Sequence, residues 1–304
     1  MSTPRPSRTL ERLRRRVLAP FFDRLGYDLV PAAPDWSHRP TSPREVDQLL
    51  GSAADSLQRD LAASGIATSL DVPAAVRRFW TLIPTAPVRQ RRGGSGFNGA
   101  LQLYVAMRAL APATVIESGV FRGLTTWVIR QACPDATIHC HDPDLSNLHY
   151  RDPRAHYSTA DWSTADWSQL DAATTVAFFD DHVSQGRRVI EARRLGLTRL
   201  LFDDDAAGHR IHAHGGPAHP TIAMIETLRD EAGRDEARRV RAEPIRWQRN
   251  GRSFEQPAND PLAREAAAGI ARAHAFDDLH RATGYSPARL TYVAVHPPKR
   301  GIAA

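Results

Sequence analysis

Two runs of acids dominate the chemistry open to this chain. Asp180-Asp181-His182 and Asp203-Asp204-Asp205 each follow a short apolar run, Thr175 to Phe179 and Thr198 to Phe202. Apolar runs of that length, bounded by polar residues, read as buried strands. In a parallel αβ sheet the carboxyl ends of the strands share one edge, so the two acidic tips should converge there. Carboxylates gathered on one rim repel one another unless protons or a cation neutralise them. Hard oxygen ligands in such number suit Mg²⁺ or a similar divalent ion. Helix capping and solvated strand ends explain one aspartate at each tip, but five in two clusters less well. His182, beside them, has the chemistry of a general base or substrate contact, or of a hydrogen-bonded structural residue.

A second constellation lies upstream. Val115 and Ile116 form a short strand ending at Glu117, Gly119 and Gly123 supply a turn, Leu124 to Cys133 has helical spacing, and Thr137 to His141 is a second strand that stops at Asp142. Glycines let the backbone approach a ligand, and the helix start at Thr125 and Thr126 offers unpaired N–H groups. An acid about 20 residues beyond such a turn can accept the hydroxyls of a ribose, which gives Asp142 its role. The spacing G-x-x-x-G departs from the dinucleotide fingerprint G-x-G-x-x-G, and glycines in a tight αβ turn also serve packing alone.

Glu117-x-Gly119-x-x-x-Gly123 closing one strand, with Asp142 closing the next, resembles the class I S-adenosylmethionine (SAM)-dependent methyltransferases. The resemblance implies that Glu117, Gly119, Gly123 and Thr125 lie at the methionine part of SAM and that Asp142 holds its ribose. A short third strand, His156 to Thr159, precedes an internal echo, Ala160-Asp161-Trp162-Ser163 and Ala165-Asp166-Trp167-Ser168. The resemblance makes Asp161 the contact to the adenine amino group and Trp162 a stacking partner. The alternative is that Asp161 or Ser163 caps a short helix whose tryptophan packs inward.

The acidic tips are similar to those of a metal-dependent branch that includes macrocin-type O-methyltransferases and cephalosporin-hydroxylase-like proteins. That similarity, over Phe97 to Phe202 and the flanking acids, implies Asp181, Asp203 and Asp204 as ligands of Mg²⁺ or another divalent cation, with His182 or Asp180 taking a proton. Leu124 stands where a small residue is common, and Asp180 and Asp205 leave the register of the pairs open. The implied activity is SAM-dependent, metal-assisted O-methylation of a hydroxylated small molecule or glycan. No N-P-P-Y or D-P-P-Y segment follows the fourth strand, which points away from amino acceptors. An RNA-binding methyltransferase would explain the basic pI of about 9.9, but its arginines should line up with exposed aromatics, whereas those here read as dispersed, so no nucleic-acid partner is expected. A hydroxylase-like or ligand-binding relative would keep Glu117 and Asp142 without needing the acidic rim.

The elements that must position these residues follow. The implied fold is an α/β, Rossmann-like SAM-methyltransferase sandwich, mostly parallel with an antiparallel last strand, over residues 93–304. It stands behind a helical N-terminal region, 1–92, and carries an insert at about 206–259. Residues 7–26 form a basic amphipathic helix, with Leu10, Leu13, Val17, Leu18 and Phe21 beside Arg12 and Arg14 to Arg16, interrupted by Pro20 and capped at Gly26. The expectation is a helix packed on the main domain with a solvated arginine face; the alternative is contact with an anionic membrane surface or a partner. Helices are expected from Ser42-Pro43 to about Ala63, from Asp71 to Thr81, from Asn98 to Leu110, from Ser184 to Leu195, from Pro220 to about Arg241, and from Pro261 to Thr283, stopped by Gly284. Arg89 to Gly96 reads as a lid or a connector, Glu243 to Asn259 as irregular, and Arg289 to Val295 as the last, edge strand. The spacing of His209, His212, His214 and His219 could bind a soft metal, but a mobile substrate loop fits their glycines better. Two cysteines, Cys133 and Cys140, exclude a disulfide framework and fit a reducing cytoplasm. No apolar run reaches the roughly 20 residues of a membrane span, and no signal-peptide core is seen, so a cytoplasmic protein is expected. Oligomeric state is left open, a homo-oligomer included.

Overall fold

The computed structural model describes residues 13–25, 33–89, 94–206, 219–232, 244–249, 252–256 and 260–297. A turn of π-helix, Arg14–Leu18, runs into α1 (Ala19–Arg24). Helix α2 (Pro43–Ser64) starts on a proline at its first position, where the missing N–H costs nothing, and ends at Gly65 in the left-handed region. In α3 (Val72–Leu82) the side chain of Asp71 caps the amide of Ala74. Then come α4 (Phe97–Leu110), β1 (Thr114–Ser118), α5 (Leu124–Ala132), β2 (Thr137–His141), β3 (His156–Ser158), β4 (Thr175–Phe179), α6 (Gln185–Arg194) and β5 (Arg199–Phe202). The chain closes with α7 (Ile222–Ala232), a separate hairpin of β6 (Ile245–Arg249) and β7 (Arg252–Gln256), α8 (Pro261–Gly269), β8 (Ile270–Ala275), α9 (His280–Thr283) and β9 (Thr291–Val295).

Seven strands form one sheet in the order β3-β2-β1-β4-β5-β9-β8. Strands β1 to β5 are parallel, β9 runs antiparallel to β5, and β8 antiparallel to β9. The period of two along each strand divides the core. Val115, Val176, Phe178 and Leu201 face α4 and α5 in one apolar cluster, whereas Ile116, Ala177, Phe179, Leu200 and Phe202 face α6, α7 and α8 in the other. Leu57 of α2 and Phe79 of α3 belong to the first cluster, so the N-terminal helices extend the sheet's own core. After β3 the chain returns to the far side of β1. This places the reversal of strand order, where αβ sheets open a ligand crevice, between β1 and β4.

Three sequence expectations are corrected. Pro261 to Thr283 is not one helix: α8 ends at Gly269 and Ile270–Ala275 is strand β8. Ile-Ala-Arg-Ala-His-Ala has the composition of a helix, but pairing with β9 overrides local preference. Strand β9 is antiparallel as expected, yet it is internal and β8 is the edge. The stretch read as irregular contains the β6-β7 hairpin. His209, His212, His214, Leu10, Arg12 and Gly26 lie outside the described residues. No helix among the described residues is long and apolar enough to cross a membrane.

Candidate functional site: a glycine turn beside an acidic rim

The ladder itself brings the tips together. Gly119 N–H donates to His141 O (2.8 Å), Asp142 N–H to Ser158 O (3.1 Å), Asp180 N–H to Ser118 O (2.8 Å) and Asp203 N–H to Phe179 O (2.9 Å). Each tip is therefore fixed by the neighbouring strand's last carbonyl. Gly119 (φ +91°) and Gly123 (φ +84°) lie in the left-handed region. A Cβ on Gly119 would sit 2.1 Å from the carbonyl oxygen of Asp180, and one on Gly123 2.3 Å from that of Tyr150. The two glycines thus let the turn close against the β4 tip and the 148–150 segment.

Asp142 holds that turn from below. Its Oδ2 accepts the amides of Val120 and Phe121 (2.8 Å each), and its Oδ1 accepts the amide of Asp144 (2.9 Å). The carboxylate stays partly exposed, and Oδ1 keeps acceptor capacity for a ligand hydroxyl. Glu117 differs. It is fully buried, with Oε1 accepting Thr125 Oγ1–H (2.5 Å) and Oε2 accepting Thr126 Oγ1–H (2.6 Å) and Cys140 Sγ–H (3.4 Å). Burial, opposed by these hydrogen bonds, pushes its carboxyl up to about 7. The side chains of Glu117 and Thr125, expected at the ligand, are buried against each other and lock strand β1 to the start of α5.

The acidic rim is also set one residue away from expectation. Ligand atoms of Asp180, His182 and Asp204 lie within 4.8 Å of one another. His182 Nε2 is 3.9 Å from Asp180 Oδ1 and 3.8 Å from Asp204 Oδ2. His182 (φ +56°) and Asp204 (φ +55°) both adopt the left-handed conformation, which costs a side chain roughly 1–2 kcal/mol. Two such residues on one rim mark a built arrangement. Asp203, next to them, accepts Ser95 Oγ–H through Oδ2 (3.2 Å) and the Asp204 amide through Oδ1 (2.9 Å). Burial and the neighbouring Asp204 charge push Asp203 up to about 7. Burial, with the charges of Asp203, Asp204, Asp181 and Glu117, holds Asp180 well above the usual carboxylate range.

Asp181 belongs to a different network. Its Oδ2 accepts Ser118 Oγ–H (2.6 Å) and Arg188 Nε–H (2.8 Å), and its Oδ1 accepts the Val183 amide (3.1 Å). Of the expected ligands Asp181, Asp203 and Asp204, the structure turns Asp181 onto Arg188, while Asp180 and His182 are the side chains gathered beside Asp204. Asp205, whose register was open, is buried and accepts Ala223 N–H and Thr291 Oγ1–H. Arg188, 2% exposed, also donates to both oxygens of Asp161 (3.0 and 2.8 Å) and to Glu191 (2.7 Å). Partial burial pushes Asp161 up, but hydrogen bonds from Arg188 and Ser163 and the Arg188 charge outweigh it and hold the carboxyl below its usual range. Asp161 and Asp166 each accept the amide two residues on, at Ser163 and Ser168, so the echoed sequence is a repeated Asx turn. Trp162 is wholly buried on Phe179 (ring centroids 5.3 Å apart) and presents no face for an adenine; it packs inward.

Sequence reasoning missed Arg188, Ser118 and Ser95. The signal for Arg188 was present: Gln185, Arg188, Val189 and Ala192 form the buried i, i+3, i+4, i+7 stripe of α6. A cavity of about 770 Å³ opens elsewhere, beside Asp35, His38, Glu45 and Tyr285; no rim acid lines it.

The strand order, the glycine turn after β1 and the acid closing β2 settle the architecture. The fold is a Rossmann-like α/β sandwich, mostly parallel with β9 antiparallel, as the sequence led us to expect. No family model and no curated protein matches the chain. Among solved structures it is similar to TomG, an O-methyltransferase from Streptomyces achromogenes in complex with SAM (15% identity over 78% of this chain and 96% of that one, TM-score 0.35). It is similar to the SAH-bound Podospora anserina methyltransferase PaMTH1 (11% identity, 85% and 98%, TM-score 0.37). It is also similar to an SAH structure of cmcI (16% identity, TM-score 0.28), over 33% of this chain and only 57% of that chain's length. Overlap at these scores is distant, and the fold assignment rests on the strand order.

Proposed function

We propose that the chain is a SAM-dependent O-methyltransferase whose acceptor hydroxyl is bound at a divalent-cation site formed by Asp180, His182 and Asp204. The observation that carries this reading is the juxtaposition at the β1/β4 crevice. Asp142 and the glycine turn stand on one side, and on the other stand Asp180, His182 and Asp204, whose potential ligand atoms lie within 4.8 Å of one another. Both groups fit what these residues offer. The turn closes without side chains at Gly119 and Gly123, and Asp142 retains an acceptor for a ribose hydroxyl. The rim gathers Asp180, His182 and Asp204, with Asp203 alongside, where a cation could take the place of protons.

When bound, SAM supplies an electrophilic methyl group, and the cation lowers the pKa of a coordinated hydroxyl. The remaining work falls to the protein. Asp180 and Asp204 give oxygen donors and His182 Nε2 a nitrogen donor, a set that suits Mg²⁺ less well than Mn²⁺ or a similar ion. Asp203, next to Asp204 on the rim and steadied by Ser95 Oγ–H, would take the acceptor's proton. Asp142 holds the turn through the amides of Val120 and Phe121, and its other oxygen would accept a ribose hydroxyl of SAM. The acceptor is a hydroxylated small molecule or glycan.

Calorimetry of SAM binding to the parent and to Asp142→Ala, with and without Mn²⁺ or Mg²⁺, tests the reading. Micromolar binding by the parent, weakened at least tenfold in the variant, is the expected result. A folded parent that binds no SAM under any of these conditions would refute it.

A further inference from the structure

The basic N-terminal helix is the part of the molecule that this function leaves unused. Leu13, Val17, Phe21 and Leu25 recur every four residues and are 49%, 55%, 56% and 56% exposed, with Leu18 at 40%. Among the described residues only one other large hydrophobic side chain, Phe121, is so exposed. None of residues 13–25 joins either apolar cluster. Over the described residues 13–25, the expected packing on the main domain is not what the structure shows: the apolar stripe faces solvent. The charge count points the same way. Residues 1–25 contain seven arginines against Glu11 and Asp23, a net +5, while the whole chain carries +6. The arginines are thus not dispersed in their net effect; nearly all of the excess basicity lies on this one segment. Arg16 and Arg24 are exposed beside the stripe.

We infer that residues 1–25 dock the protein on an anionic phospholipid surface, with the Leu13, Val17, Phe21 and Leu25 stripe entering the headgroup boundary and the arginines pairing with lipid phosphates and carboxylates. A basic amphipathic segment with an exposed apolar side is what such a surface binds. A second copy of this segment fits less well, because each would bring a like charge of +5 against the other. A nucleic acid would engage the arginines and leave an aliphatic stripe unused. The enzyme would then work beside a membrane, where a lipid-linked or membrane-synthesised hydroxylated acceptor is presented.

Co-sedimentation of the full chain with vesicles is the test. Phosphatidylcholine vesicles containing about one-third phosphatidylserine should pull it down at least tenfold better than phosphatidylcholine alone. The Arg14→Gln/Arg15→Gln/Arg16→Gln variant and the Val17→Asp/Phe21→Asp variant should each weaken this binding about tenfold or more, while melting temperature and SAM calorimetry stay at the parent's values. Equal binding to both vesicle types, or none to either, overturns the inference. So does a Val17→Asp/Phe21→Asp variant that binds like the parent, which would reduce the segment to a polyanion binder such as one for RNA. A parent that ignores vesicles but self-associates in sedimentation velocity, with the association abolished by Val17→Asp/Phe21→Asp, would assign the stripe to a second copy instead. Because SAM binding is read separately, failure here leaves the proposed activity standing, and the converse holds.

Discussion

Replacing Arg188 by methionine should destabilise this protein more than any exposed arginine change. The guanidinium is 2% exposed and is the only cation among the described ion pairs that reaches Asp181, which is itself 9% exposed. Methionine fills most of the volume but leaves Asp181 with two hydrogen bonds and no counter-charge, and breaking one partner out of a buried pair costs roughly 3–5 kcal/mol. With an unfolding entropy of about 2.1 cal/mol/K per residue over 304 residues, 4 kcal/mol lowers Tm by roughly 6 °C. The pH dependence has a defined sign. Asp161 is held below its usual range in the parent, so its contribution is full above the unfolded value of about 3.8 and is lost as pH falls through the folded one. The gap in Tm between parent and Arg188→Met, followed by calorimetry or circular dichroism, should be constant above about pH 5 and shrink below about pH 4. Asp181→Asn added to Arg188→Met should recover part of the loss, since it removes the unpaired charge. A gap under about 1.5 °C would refute the role of Arg188 as the cation that makes Asp181 tolerable inside the fold, and a gap unchanged down to about pH 3 would refute its pairing with Asp161.

The other predictions concern the turn and the rim. Glu117, raised from about 4.5 to about 7 by burial, binds a proton more tightly folded than unfolded, so it withdraws roughly 3 kcal/mol of stability as pH rises from about 4.5 to 7. Glu117→Gln should flatten that part of the stability curve in urea titrations; curves that stay parallel would count against a buried, proton-holding Glu117. Gly119→Ala, with a Cβ 2.1 Å from backbone oxygen at φ +91°, should lose upwards of about 4 kcal/mol or fail to fold. Gly51→Ala, within helix α2 and with nothing within 4 Å, should gain about 0.5–1 kcal/mol by the same melting assay. Asp204→Asn keeps a residue that tolerates φ +55° and removes one rim charge. It should raise the ion-free Tm by about 1 °C and abolish the Tm increase given by Mn²⁺. A Tm increase with Mn²⁺ as large as the parent's would remove Asp204 from the cation site.

The sequence by itself determined the local pieces. The apolar runs at Val115, Thr137, Thr175 and Thr198 are strands because their side chains alternate between two buried faces, a period that short-range composition carries. The glycines at 119 and 123 are legible because only a residue without Cβ closes that turn, and Asp142 follows at the next strand's end. What the tertiary structure alone decided is which way each side chain at a strand tip points. Asp180 and Asp181 are adjacent in sequence, so a one-residue ambiguity sends one to the rim and the other to Arg188, and only the ladder from Ser118 and Phe179 and the helix carrying Arg188 resolve it. Glu117 and Trp162 look like ligand contacts in a motif, but their burial, against Cys140 of β2 and Phe179 of β4, depends on how separate strands pack. Strand β8 reads as helix because Ala and Arg favour helices locally, and its partner β9 lies about 20 residues away. Burial and hydrogen bonding between distant segments are non-local quantities. For that reason the sequence could place acids at one edge of the sheet, and only the folded chain could divide them between an acidic rim and a buried ion pair.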